Sequence, residues 1–309
     1  MSQSIRMTAL EAGNPGAFLA ALGVLDVVAA HAGGARLRWV RSAGWRPEVR
    51  GVGSREDLIA LVLDDLKGAR GSEVFQFTYP RSTGKKKGEP IGDLKAEKDY
   101  LREHLLEPIA RQASSGHRVD ADICAGLVAE GGLDNNGKAK PTAFHFTAGQ
   151  QNFLDMVQGL RRSVESDHIE EGLFGLWANP QKLPAMGWDV ANSREYALRA
   201  TDPSSDPKVC QPAVEWLGIR GLRFFPCSAK GGKTVTTAVS GSWKRGQFIW
   251  PVWGGWLDQD TVQSLLASDL EGLSSSERRA RGVSDLFRAG IQRSDQGGYG
   301  SFQPPRVLV

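Results

Sequence analysis

The chain has 309 residues, 40% hydrophobic and 24% charged, with a formal net charge of +3. That is the composition of an ordinary globule, long enough for one large domain or two, and its mild basicity permits a nucleic-acid partner without requiring one. Its three cysteines, Cys124, Cys210 and Cys227, are scattered and never spaced as CxxC, which excludes a disulfide framework or a zinc finger and fits a reducing, cytoplasmic compartment.

Near the start, Asn14 can cap a helix whose first position suits Pro15. Phe18, Leu22, Leu25 and Val28 then recur at helical spacing, and Leu19, Val24 and Val27 widen the apolar face almost to the whole circumference. Only Asp26 interrupts it. Such a helix is predicted at the centre of the core rather than in a membrane, with Gly33 and Gly34 as its stop. Leu37 and Trp39, alternating with Arg36, Arg38 and Arg41, predict a half-buried strand, with residues 45–52 as its hairpin partner. A helix follows from Arg55, acidic at its N-terminal end, and then a short strand through Val74, Phe75, Phe77 and Tyr79. The stretch from Pro80 to Pro90 holds Arg81, Lys85, Lys86 and Lys87 between turn formers and reads as an exposed loop.

Asp93 is a candidate cap for a helix running to about Ala113 and kinked at Pro108. A short helix near Ile123 and Leu127 precedes a second exposed, amide-rich and basic loop over residues 133–141, then a brief strand at Phe144 and Phe146. Residues Thr147 to Gln150 fit a capping box, behind which Phe153, Val157, Leu160 and Val164 mark a helix. Another helix is expected over 169–177, an irregular segment over 179–207, and a helix from Pro212 followed by a strand at Leu222, Phe224 and Phe225. Residues 233–239 and 247–253 alternate as two strands joined across 241–246. Beyond them, helices are expected from Asp260 to Leu270 and from Arg278 to Ile291, with a flexible Gly/Ser/Pro-rich tail. The pattern predicts an α+β fold of interleaved helices and short antiparallel strands around a buried N-terminal helix. It divides into a mixed domain over residues 1–255 and a helical segment over 256–309.

No phosphate-loop, dinucleotide, zinc-protease, nucleophile-elbow or calcium-loop motif is present, so no cofactor or metal is expected. The five histidines are isolated. His145, between two phenylalanines, is the one candidate general base, for a nuclease or repeat-RNA endoribonuclease; a base needs a partner, and none is near it in sequence. The bland reading is a hydrogen-bonded strand histidine. Cys124 reads as a buried thiol, and Asp64–Asp65 and Glu170–Glu171 as solvated faces. Basic loops are the better lead. Lysine and arginine contact phosphates, while asparagine and glutamine read base edges. The candidate DNA-binding set is Lys85, Lys86, Lys87, Asn135, Asn136, Lys138 and Lys140, with Gln150 and Asn192; Lys230, Lys233, Lys244 and Arg245 add cations on later loops.

Asn14-Pro-Gly-x-Phe18 followed by Leu-Ala-Ala-Leu-Gly-Val-Leu, the run from Thr147 to Phe153, Pro212-Ala-Val-Glu-Trp-Leu, Gly221-Leu-Arg-Phe-Phe and Phe248-Ile-Trp-Pro-Val-Trp253 occur in a fixed order. Together they resemble the small large-subunit-type proteins of type I-G (formerly I-U) CRISPR systems, over roughly residues 5 to 255. The resemblance implies a non-catalytic subunit of an RNA-guided surveillance complex, placed at the 5′ end of the guide RNA. Its implied partners are CRISPR RNA, target double-stranded DNA, the backbone and guide 5′-end subunits, and a helicase-nuclease recruited on target binding. Base pairing then supplies most specificity while protein reads the short flanking motif and the backbone and helps open the duplex.

Overall fold

In this computed structural model, which describes residues 3–68, 72–82, 86–147, 151–177, 183, 185–192, 211–293 and 299–308, the core is built around α1 (Pro15–His31). The Asn14 side chain accepts the Gly16 N–H at 3.0 Å, and every residue from Pro15 to Val28 is buried. No helix among the described residues is long and apolar enough to cross a membrane. A three-stranded antiparallel sheet lies against α1, in the order β1 (Ile5–Arg6), β3 (Trp45–Arg50), β2 (Arg36–Arg41). It turns Ile5, Leu37, Trp39 and Val49 inward, as the alternation predicts.

The next elements are α2 (Arg55–Gly68), α3 (Glu73–Gln76), and a small hairpin of β4 (Tyr79–Pro80) and β5 (Pro90–Ile91). Val74 and Phe75 therefore sit on a helical turn, not a strand, because Asp120 accepts from Ser72 and from the Glu73 N–H and so caps that turn. The Pro108 helix begins at α4 (Lys98–Leu101), widens into a π-helical turn at Arg102–Leu106, and continues as α5 (Glu107–Ser114). A proline has no N–H to donate and its ring crowds the preceding turn, which accounts for the defect just before it. Asp93 does not cap this helix; it is buried elsewhere. After α6 (Val119–Leu127), Phe144 and Phe146 lie on irregular backbone, not in a strand.

The helix behind Thr147 is α7 (Phe153–Ser163), but its cap is Asn152, not Thr147, whose hydroxyl lies beside His145 instead. Then come α8 (Ser166–Phe174) and α9 (Pro212–Gly221), the latter packed along α1. A Cβ on Gly23 would fall inside the Leu217 carbonyl oxygen, and one on Gly221 inside that of Leu19, so glycine is what lets the two backbones touch. Residues Leu222–Phe224 form a 3-10 turn, not a strand, continuing directly from α9, with Phe225 just beyond it.

The rest of the chain builds the larger sheets. Strands β6 (Cys227–Lys230) and β7 (Lys233–Thr236) form a hairpin, and β8 (Val239–Gly241) pairs with β9 (Arg245–Trp253). Helices α10 (Gln259–Ala267) and α11 (Ser275–Ala280) follow. The expected helix from Arg278 to Ile291 stops early: Gly282 takes a left-handed φ of 79°, and Val283–Arg293 becomes β10, the longest strand. Phe287, Ala289, Ile291 and Arg293 alternate inward along it, paired antiparallel with β9. The described part of the expected flexible tail is also ordered by pairing: β11 (Gly300–Phe302) and β12 (Arg306–Val307) both add to β10, and Phe302 is fully buried. The fold is α+β, with every strand pairing antiparallel.

Candidate nucleic-acid interface

Separate basic loops converge on one face. In the first, the Arg81 N–H donates to the Glu89 carbonyl and the Gly88 N–H returns to that of Arg81, both at 2.9 Å, closing a turn that leaves Lys86 and Lys87 exposed. In the second, Asp134 Oδ1 accepts the Asn136 and Lys138 amides at 2.8 and 3.0 Å, and Gly137 turns the chain with φ of 78°. That turn lifts Asn135 and Asn136 into solvent. Lys138 Nζ joins the two loops, reaching Ser82 Oγ at 3.4 Å while pairing with Glu97 at 3.4 Å.

The same second loop is bonded to the β6–β7 hairpin. The Leu133 N–H donates to the Gly232 carbonyl at 3.0 Å, and Thr234 Oγ1 donates to that of Lys140 at 2.5 Å. Lys230 and Lys233 face one another at the hairpin tip. Lys140 then extends over the Trp243 ring, 4.7 Å from its centroid, on the turn between β8 and β9 that also carries Lys244 and leads into Arg245 at the start of β9. Arg293 lies 3.7 Å from the same ring and donates to the carbonyls of Trp243 and Ala143 at 2.5 and 2.6 Å. A cavity of about 380 Å³ opens here, lined by Lys140, Lys233, Thr234, Ser242, Trp243 and Arg293.

The electrostatics are those of an anion site. Burial pulls the Arg293 guanidinium down to about 9. Lys140 is pulled below the usual lysine range, first by burial and then by Arg293. Arg293 is thus a buried positive charge and Lys140 a half-buried one, and among the described residues neither pairs with a carboxylate, which leaves room for an anion such as phosphate. By contrast, a cavity of about 440 Å³ between α2 and α6 is lined by Asp64, Asp65 and Asp120 beside Arg118 and Arg220. Asp65, expected on a solvated face, is instead largely covered, 3.4 Å from Arg220, while Asp64 is exposed as expected.

Of the candidate residues, Lys86, Lys87, Asn135, Asn136, Lys138 and Lys140 are thus brought into one connected surface. Lys85 and Gln150 lie outside the described residues, and Asn192 ends a 3-10 turn (Val190–Asn192) away from these loops in sequence. Glu170 is indeed on the surface, paired with Arg55 at 2.7 Å. Trp243 and Arg293 were not legible as a site, because the bonds that set them there join positions 50 and 150 residues apart.

His145 does find a partner: its Nε2 lies 2.8 Å from Asp93 Oδ1, with its ring stacked on Phe153. Both are buried, His145 to 1% exposure. Burial depresses the His145 pKa against the pull of Asp93, so the ring is neutral near pH 7. Burial alone would raise that of Asp93, but the hydrogen bonds it accepts from the neutral His145 ring and the Leu94 amide, with the charge of Lys95, outweigh it and hold the carboxyl below the usual range. A general base must reach the proton it takes, and this ring's side chain has 0% exposure. Cys124 is buried, as expected, and burial pushes its thiol up to about 12. Among the described residues, no cluster of three or more histidine, cysteine or carboxylate side chains is placed to hold a metal.

No protein-family model and no curated protein matches this chain.

Proposed function

We propose that this chain is a cytoplasmic, non-catalytic, large-subunit-like component of a type I CRISPR RNA-guided surveillance complex. In that role it recognises the motif flanking the target and helps open the duplex. The observation that carries the reading is the joining of the 86–89, 134–140, 230–234 and 242–245 loops into one basic surface around Trp243. Lys86, Lys87, Lys138 and Lys140 neutralise backbone phosphates, and Asn135 and Asn136 stand where amides can meet base edges. The resemblance of its ordered sequence phrases to type I-G large-subunit-type proteins implies the assembly: guide RNA, target duplex, backbone and guide 5′-end subunits, and a recruited helicase-nuclease.

Co-expression with neighbouring genes and a guide RNA, followed by affinity purification of this chain, tests the reading. Co-elution with protein partners and a guide of defined length is the expected result. In the purified assembly, Lys86→Gln, Lys87→Gln, Lys138→Gln and Lys140→Gln together should weaken duplex binding and flatten its salt dependence by about 0.9 for each phosphate no longer neutralised. A lone, RNA-free chain, or binding indifferent to salt, would overturn it.

A further inference from the structure

A second basic surface lies on the N-terminal sheet, apart from the loops. Strand pairing sets Arg36 opposite Arg50, Arg38 opposite Glu48 and Val40 opposite Arg46, while Arg6 on β1 faces Glu48 from the other side. Side chains alternate along strands, so these residues share the face turned away from Leu37, Trp39 and Val49. Glu48 is buried under Arg6 and Arg38, which bond its oxygens at 2.9 and 2.7 Å. Among the described residues no carboxylate forms an ion pair with Arg36, Arg46 or Arg50, although Asp258 lies close enough to feel the charge of Arg36. Leu257 bridges to Leu37 along the outer edge of β2, and this places Trp256 against the arginines. Arg38 and Arg50 lie 4.4 and 4.0 Å from its ring centroid.

Like charges directly opposite on adjacent strands destabilise a sheet. Glu48 is already shared by two arginines, so the folding of the sheet does not account for Arg36, Arg46 and Arg50. We propose that this face binds the sugar-phosphate backbone of a nucleic acid, as a second contact surface beyond the loop face and independent of which complex the chain enters. Arginine's planar fork matches phosphate oxygens two at a time. Stacking on Trp256 holds the Arg50 fork in a fixed plane, so less freedom is lost on binding. Arg46 and Arg50 stand four residues apart on β3, about 13 Å, with the already paired Glu48 between them and Arg36 opposite Arg50, so these cations are spread along the face to meet separate phosphates of a chain rather than a single anion.

Fluorescence anisotropy on the full chain, with short labelled RNA and DNA in single-stranded and duplex form, tests the proposal. The variant Arg36→Gln/Arg46→Gln/Arg50→Gln should bind at least about tenfold more weakly near 0.1 M salt, with a log–log salt slope shallower by about 2 to 3. It should melt no lower than wild type, since it relieves the opposed charges; Trp256→Leu should weaken binding less and leave the salt slope unchanged. If the triple variant binds like wild type while the loop-lysine variant does not, the sheet face is overturned and the proposed function stands. If wild type binds no nucleic acid, both fail. If poly-glutamate binds this face more tightly than nucleic acid does, the proposal is overturned in favour of an acidic protein partner.

Discussion

The carboxylate of Asp26, in the middle of the most apolar helix of the chain, lies 2.8 Å from the guanidinium of Arg220 on α9. Both side chains are almost wholly buried, and Arg223 and Gln259 also bond the Asp26 carboxylate. Arg223 continues to Asp122 at 2.8 Å, so the charge that interrupts α1 ties it to α9, α6 and α10. Removing one partner of such a group strands the others without water. Asp26→Leu should therefore lower unfolding stability by about 3–5 kcal/mol, as read by urea denaturation; an unchanged midpoint would refute the network.

The close approach of α1 and α9 leaves no room for a side chain at Gly23. Gly23→Ala should cost about 3 kcal/mol or prevent soluble expression, since the obstacle is backbone and cannot rotate away. Gly33, where an added methyl group would meet nothing within 4 Å, is the control. Gly33→Ala should stay within about 0.5 kcal/mol of wild type by thermal melting.

The buried His145–Asp93 pair should make stability fall in mild acid. Folded His145 has a pKa below its usual 6.5, so the unfolded chain takes up a proton there that the folded chain refuses. Its contribution is complete above about 6.5 and is lost as pH falls towards the folded value. The lowered Asp93 adds stability above the ordinary aspartate range and loses it only at lower pH. Melting temperature should drop between pH 7 and 5 in wild type, and His145→Gln should flatten that interval. Parallel curves for the two proteins would count against the pair as the cause.

Arg293 satisfies the carbonyls of Ala143, His145 and Trp243 with a single guanidinium. Arg293→Met keeps the volume and leaves those acceptors without their donor, at about 2–3 kcal/mol. Because the same side chain positions Trp243 beneath Lys140, nucleic-acid affinity should fall too; Trp243→Ala, which spares the carbonyl bonds, should reproduce the binding loss with a smaller change in melting temperature.

Local signals carried much of the fold. Asn14, Pro15 and the apolar run after them specify α1, and Leu37 and Trp39 specify the inward face of β2, since capping and side-chain periodicity act within a few residues. The exposed basic loops were legible for the same reason: glycine, proline and amides mark a turn wherever it occurs. What failed were segments whose state is set by distant partners. Val283–Arg293 became a strand because β9 offers its edge, and Val74 and Phe75 became a helical turn because Asp120 caps it. Composition and pattern thus determined an α+β chain with a buried first helix and scattered surface cations. Only the tertiary structure decided that those cations share a surface, that His145 is paired and buried, and that Arg36 and Arg50 stand opposed. Hydrogen bonds and Coulomb forces act over a few ångströms of space, and the sequence records no distances between residues that the fold brings together.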